Sequence, residues 1–184
     1  VTELEDEFDV SRAPVREALQ SLVDEGLVEV KPRVGYFAVE LTSKQIREIC
    51  ELRKLLEIYA LKHSINRIPK EEVKKLEEET LKLKEENLNQ DNLRSIFDRT
   101  DERLHSLIIS SSDNDLLKDF TGRIHNLIAL TRHLNQRINK ALEEHLSIIN
   151  AILNNQKEQA KKALARHLDN VEKEVLDKKI RKST

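Results

Sequence analysis

Beyond residue 42 apolar residues return every three or four positions for nearly the whole chain, with few Gly or Pro between them. That period predicts amphipathic helices. We place them at 43–66, 69–88, 91–111, 113–136, 138–154 and 156–179, with "NRIP", "NLNQDN", "SSDN" and "NNQ" as turns. Six helices in succession imply an antiparallel bundle. Up to residue 41 the elements are shorter: a helix around "TELEDEF", a second in "SRAPVREALQSLVDEG", then β-rich "LVEV" and "YFAV" joined by "KPRVG" as a hairpin with a five-residue connection. The expectation is a mostly α protein of two domains, 1–41 and 42–184.

The second short helix is punctuated at both ends. Ser11 suits an N-cap, Pro14 falls in the first turn where no intrahelical N–H is lost, and Gly26 supplies a left-handed stop. Val15, Ala18, Leu19 and Leu22 share its inward face, which leaves Arg12 and Arg16 together on an exposed one. A short helix, a tight turn, this helix and a hairpin make the layout of a winged helix-turn-helix, with the second helix in a DNA major groove and the hairpin tip at the backbone or minor groove. Charge opposes nonspecific binding, because residues 1–40 hold four cations against ten acids. All four cations (Arg12, Arg16, Lys31 and Arg33) fall on the two elements expected to touch DNA.

Composition narrows the setting. The chain is 36% charged and 3% aromatic, as helix-rich proteins are. Cys50 is its one cysteine, so no intrachain disulfide is possible and a reducing cytoplasm is expected. No apolar run approaches the roughly 18 residues of a membrane span. Val1 opens directly into helix-like sequence and there is no Met, so the native polypeptide is expected to begin further upstream.

Histidines carry the candidate chemistry of the helical part. Asp101 and His105 are four apart on the face marked by Phe97, Leu104 and Ile108; His145 is in register with Leu142, Ile149 and Ile152; His167 is in register with Leu164, Leu168 and Val171. At about 1.5 Å per residue, His145 and His167 lie roughly 15 Å on either side of the "NNQ" turn, so an antiparallel hairpin sets them side by side. If the Asp101/His105 helix packs on that hairpin, one Asp and three His converge as a ligand set for a divalent metal: Zn, Ni, Mn or Fe. The alternative is that each is a hydrogen-bonded core residue. Coordination needs neutral imidazoles, so metal affinity is expected to fall below about pH 6.5, the unperturbed His value.

Residues 10–39, "VSRAPVREALQSLVDEGLVEVKPRVGYFAV", closely resemble the recognition helix and wing of GntR-family regulators, whose usual run is V-S-R-T-P-V-R-E-A-L, L-x-x-E-G-L-V, R-x-G-x-x-V. Ala13 departs from the family's Thr, and the family's first helix is missing. By this resemblance Ser11, Arg12 and Arg16 are recognition-helix contacts, with Arg33 and Gly35 at the wing tip. The order Asp101-x-x-x-His105, "EHLSIINAI" and "AKKALARHL" resembles the FCD effector-binding domain of the FadR subfamily, and six helices point to its VanR-like branch. The resemblance implies that Asp101, His105, His145 and His167 hold a metal whose coordination a small carboxylate effector completes. It also matches Arg53 to an inward-pointing family Arg; a surface position is the alternative. Arg132 is a weaker candidate anion partner. His63, His125 and His133 match no ligand position and are expected in surface or core roles.

Three function classes follow. A metal-bound repressor, a homodimer on operator DNA controlled by a small organic acid, accounts for both the inward ligands and the exposed Arg pair. A metal-dependent hydrolase would need a carboxylate base near the cavity; "HExxH" is absent, and no second acid beyond solvent-facing Glu is expected there. A structural helical adaptor leaves the ligands without a purpose. The repressor is the reading adopted.

Overall fold

The structure, a computed structural model, describes residues 1–85 and 89–182, without the side chains of His133, Arg181 and Lys182. The chain divides into two compact units, Val1–Thr42 and Ser43–Thr184.

In the first unit α1 (Thr2–Phe8) and α2 (Arg12–Asp24) are followed by strands β1 (Val28–Lys31) and β2 (Gly35–Ala38). α2 closes as its sequence requires. Gly26 has φ +74°, its N–H donates to the Val23 carbonyl at 3.0 Å, and the Leu27 N–H donates to the Leu22 carbonyl at 2.9 Å. Those two bonds satisfy carbonyls the helix end would leave orphaned. The inward face of α2 is narrower than its periodicity suggested: Val15 and Leu19 are buried and Leu22 half-buried, but Ala18 is exposed. Val15 and Leu19 form a single i,i+4 line, and Ala18 lies on its flank. The hairpin is also tighter than expected. Lys31 pairs with Gly35, so three residues rather than five connect the strands. The Val34 N–H donates to the Lys31 carbonyl at 3.0 Å, and Arg33 takes the positive φ (62°) that the third residue of a type II turn requires.

The second unit is built from α3 (Ser43–Ser64), α4 (Lys70–Glu85), α5 (Gln90–Ser110), α6 (Asp115–Arg123), α7 (His125–Leu134), α8 (Ile138–Leu153) and α9 (Lys157–Lys182). Among the described residues that is seven helices rather than six, because the helix expected over 113–136 breaks at Ile124 (φ −98°, ψ 4°). Gly122, a poor helix former, precedes the break, and the Thr121 hydroxyl donates back to the Leu117 carbonyl at 2.8 Å, an arrangement that bends helices. The six-helix count that pointed to the VanR-like branch therefore does not hold. The "NLNQDN" turn and the end of the 69–88 helix fall partly on residues 86–88, outside the described residues.

Helix α9 packs on α3 and α8, and α4 on α8 and α5. Leu61, Val73, Leu76, Ile108, Ile148, Ile149, Ile152 and Leu164 fill one core, and Ala60, Ala160 and Ala163 let the helices approach. Each fully buried Leu or Ile contributes roughly 1.5 to 3 kcal/mol. The α8–α9 turn is held from outside: Lys70 Nζ donates to the Leu153 carbonyl at 2.9 Å and to Asn155 Oδ1 at 2.8 Å. This turn fixes the heights of the two histidines on either side of it. No described helix is long and apolar enough to cross a membrane.

Candidate functional site

Asp101 and His105 on α5, His145 on α8 and His167 on α9 are all buried, and one ligand atom from each lies within 4.8 Å of the others. Their backbone positions follow from periodicity, and their orientation follows from a second set of residues. Glu57, buried on α3, pairs with Nδ1 of His105. Glu144 on α8 accepts from Nδ1 of His167 at 2.9 Å, and itself receives Arg137 Nη2 at 2.6 Å and Asn170 Nδ2 at 2.7 Å. A carboxylate only accepts, so each Nδ1 carries the proton and each Nε2 keeps its lone pair. The Nε2 atoms of His105, His145 and His167 are buried without a hydrogen-bond partner among the described residues. Buried nitrogens left unpaired in this way are costly. A divalent cation satisfies all three at once, and imidazoles braced by carboxylates are the usual setting for one.

Asp101 divides its two oxygens. Oδ1 lies 3.2 Å from His145 Nε2 and 3.8 Å from His105 Nε2. Oδ2 faces Arg132 Nε at 2.9 Å and Arg53 Nη2 at 3.8 Å. These guanidinium contacts are electrostatic rather than aligned hydrogen bonds, since neither nitrogen meets bonding geometry. Arg53 Nε donates to Glu57 Oε1 at 2.6 Å, which places this Arg inside the bundle and not on its surface. Phe97 stacks parallel on the His145 ring, centroids 5.7 Å apart, and fixes its plane.

Protonation follows from burial. Desolvation lowers His105, and it takes His167 down to about 3 against the pull of Glu144. Both are therefore neutral in the folded protein, as coordination requires. Burial raises the Asp101 and Glu57 carboxyls, but it is outweighed: the Arg53 guanidinium beside both and the His105 N–H that donates to Glu57 hold Asp101 well below the carboxylate range and Glu57 at about 2.

A cavity of about 260 Å³ opens beside this cluster, lined by Glu57, His105, Ile109, Lys118, His125 and Arg132 among others. His125, expected in a surface or core role, thus lines it, 3.4 Å from Glu102. His63 is exposed, and the side chain of His133 lies outside the described residues. Sequence reasoning missed Glu57 and Glu144. Glu57 could have been flagged as the i+4 partner of Arg53 on an inward face.

In the first unit Arg12 and Arg16 are both exposed on α2, with Arg12 Nε 4.0 Å from Glu5 Oε1. Ser11 is the N-cap by conformation, but its side chain makes no capping bond. Arg33 is exposed at the hairpin tip, and Gly35 has φ +148°, a conformation open to glycine alone without strain.

Comparison with known proteins bears on both units. Residues 1–38 match the gntR family of bacterial regulatory proteins, and residues 48–170 match the FCD domain. The HTH-type transcriptional regulator YdhC of Bacillus subtilis is 31% identical over 172 residues, covering 91% of this chain and 76% of its own. LutR of the same organism is 28% identical over 94% of this chain and 88% of its own. The metal-free FCD domain of the regulator TM0439 is 33% identical with a TM-score of 0.71, covering 78% of this chain and 99% of that one. The Zn2+-bound form of the same domain is 34% identical with a TM-score of 0.66, covering 76% and 96%. With a gntR match at its start, an FCD match over most of the rest and a regulator 31% identical along most of its length, the chain belongs to the GntR family of bacterial transcriptional regulators, with an FCD domain, and is a regulator rather than an enzyme.

Proposed function

We propose that the protein is a cytoplasmic repressor whose operator affinity is set by a small carboxylate bound at a divalent metal in the FCD domain. The observation that carries this reading is the set of three buried Nε2 atoms beside Asp101, all without hydrogen-bond partners among the described residues. Asp101, His105, His145 and His167 would hold the ion, and Zn, Ni, Mn and Fe all suit that donor set. A bound ion supplies a Lewis-acidic seat for a carboxylate oxygen. The adjoining cavity gives a short acid room, and Arg132 and Arg53 hold the Asp101 carboxylate in place behind it. The Zn2+-bound FCD relative supports zinc as the first ion to test.

On the DNA side, Arg12 and Arg16 read the major groove, Ser11 binds backbone phosphate, and Arg33 and Gly35 form the wing tip. One such helix covers half a site, so the functional species is a twofold homodimer on operator DNA. An exposed apolar face supports self-association: Leu52, Leu55 and Tyr59 on α3, and Leu116 and Phe120 on the adjoining α6. The deciding experiment is a gel-shift titration of DNA from beside the gene with zinc-loaded and metal-stripped protein, with and without small organic acids. Acid-dependent release of DNA by the loaded protein alone is the expected result. Identical DNA affinity in all four conditions rules the reading out.

A further inference from the structure

We infer that the effector is a dianion, a short-chain dicarboxylate, whose second carboxylate is read by Lys118. The inference rests on the reading of the metal-side cavity as an effector site, and charge balance carries it further. Around the cluster the buried charges cancel, Arg53 and Arg132 standing against Glu57 and Asp101; the Glu102 carboxylate that also meets Arg132 Nη1 at 3.2 Å is 43% exposed and screened by water. The imidazoles add no charge while neutral. A divalent ion therefore leaves the site with two uncompensated positive charges in a water-poor interior. A monocarboxylate neutralises one of them, and a dianion neutralises both.

The cavity lining agrees. Beyond His105 and Arg132 it presents Lys118 from α6 and His125 from α7. Glu57 is the one acid among its described lining residues, and its oxygens already serve Arg53 and His105. Lys118 Nζ is 3.0 Å from Asp115, but the Asp115 side chain is 93% exposed, and a pair so open to water yields readily to a better anion. The cavity's volume of about 260 Å³ leaves room for a four-carbon acid such as succinate.

The test compares succinate with butyrate, which have the same carbon chain and differ in one carboxylate, by calorimetry on the zinc-loaded full chain, with bound zinc checked by mass spectrometry. Succinate is expected to bind about tenfold tighter or more, the size of one charge-assisted contact. Lys118→Gln is expected to bring the two affinities together, and Lys118→Arg to preserve the difference. Lys118 is partly exposed, so these variants leave the core untouched. Equal affinities in the unaltered protein overturn the dianion and leave the effector reading standing. A preference that survives Lys118→Gln overturns the role of Lys118. Failure of both acids to bind the zinc-loaded protein overturns the effector reading itself.

Discussion

Glu144 and His167 stand 23 residues apart in the chain and 2.9 Å apart in the fold, joined through the imidazole Nδ1. Arg137 and Asn170 hold the same carboxylate from the other side, so the ring of a candidate metal ligand is aimed by residues that never approach the ion.

Removing that carboxylate is expected to cost metal affinity without removing a ligand. Glu144→Gln should weaken zinc binding by about 10- to 100-fold, the usual effect of losing an imidazole's outer partner. Glu143→Gln, one residue away but exposed and paired with Lys84, should leave it unchanged. Competition against a fluorescent chelator reads both. Equal losses in the two variants would mean that Glu144 does not position His167.

Chelation is expected to lower the melting temperature, because a ligand that binds only the folded state stabilises it by about 2.7 kcal/mol at a hundredfold excess over its Kd. Calorimetric scans with and without chelator should differ for the unaltered protein and for His63→Ala, which alters an exposed residue. They should coincide for His145→Ala. A chelator response that persists in His145→Ala contradicts the proposed ligand set.

Acid should destabilise the metal-free protein in a defined window. His167 is lowered to about 3 in the fold and takes its proton near 6.5 when unfolded, so between those values the unfolded chain binds a proton that the folded chain refuses. Stability is complete above 6.5 and falls as pH drops through the window. Glu144, held at about 2 against its ordinary 4.5, adds a further loss from 4.5 downward. Urea midpoints at successive pH values measure this. Zinc affinity, by contrast, should fall less steeply below 6.5 than three unperturbed imidazoles imply, since burial already keeps His105 and His167 neutral. A tenfold loss of zinc affinity between about pH 7 and pH 6 would refute it.

Arg16→Ala is expected to weaken specific operator binding by about 1 to 3 kcal/mol if the guanidinium reads a base, with the fold intact because the side chain is exposed. Gel-shift titration of the full-length protein checks this. Unchanged affinity would remove Arg16 from the interface.

Much of this was legible along the chain because it depends on residues close in sequence. Gly26 stops α2 through bonds no longer than a turn, Arg12 and Arg16 share a face by helical spacing, and the inward register of Asp101, His105, His145 and His167 follows from the apolar residues around each. The break at Ile124 was not legible, since one continuous period spans both halves and only a weak signal at Thr121 and Gly122 marks the join. Glu57 carried only the signal of its i+4 spacing from Arg53, and Glu144 was not distinguishable by spacing from the many solvated acids of a chain with 34 of them. Sequence determines which face a side chain takes, because the helical period is local. Which atoms of different helices meet, and hence which imidazole nitrogen is tied and which left open, depends on how the packed helices align, and only the tertiary structure decides that.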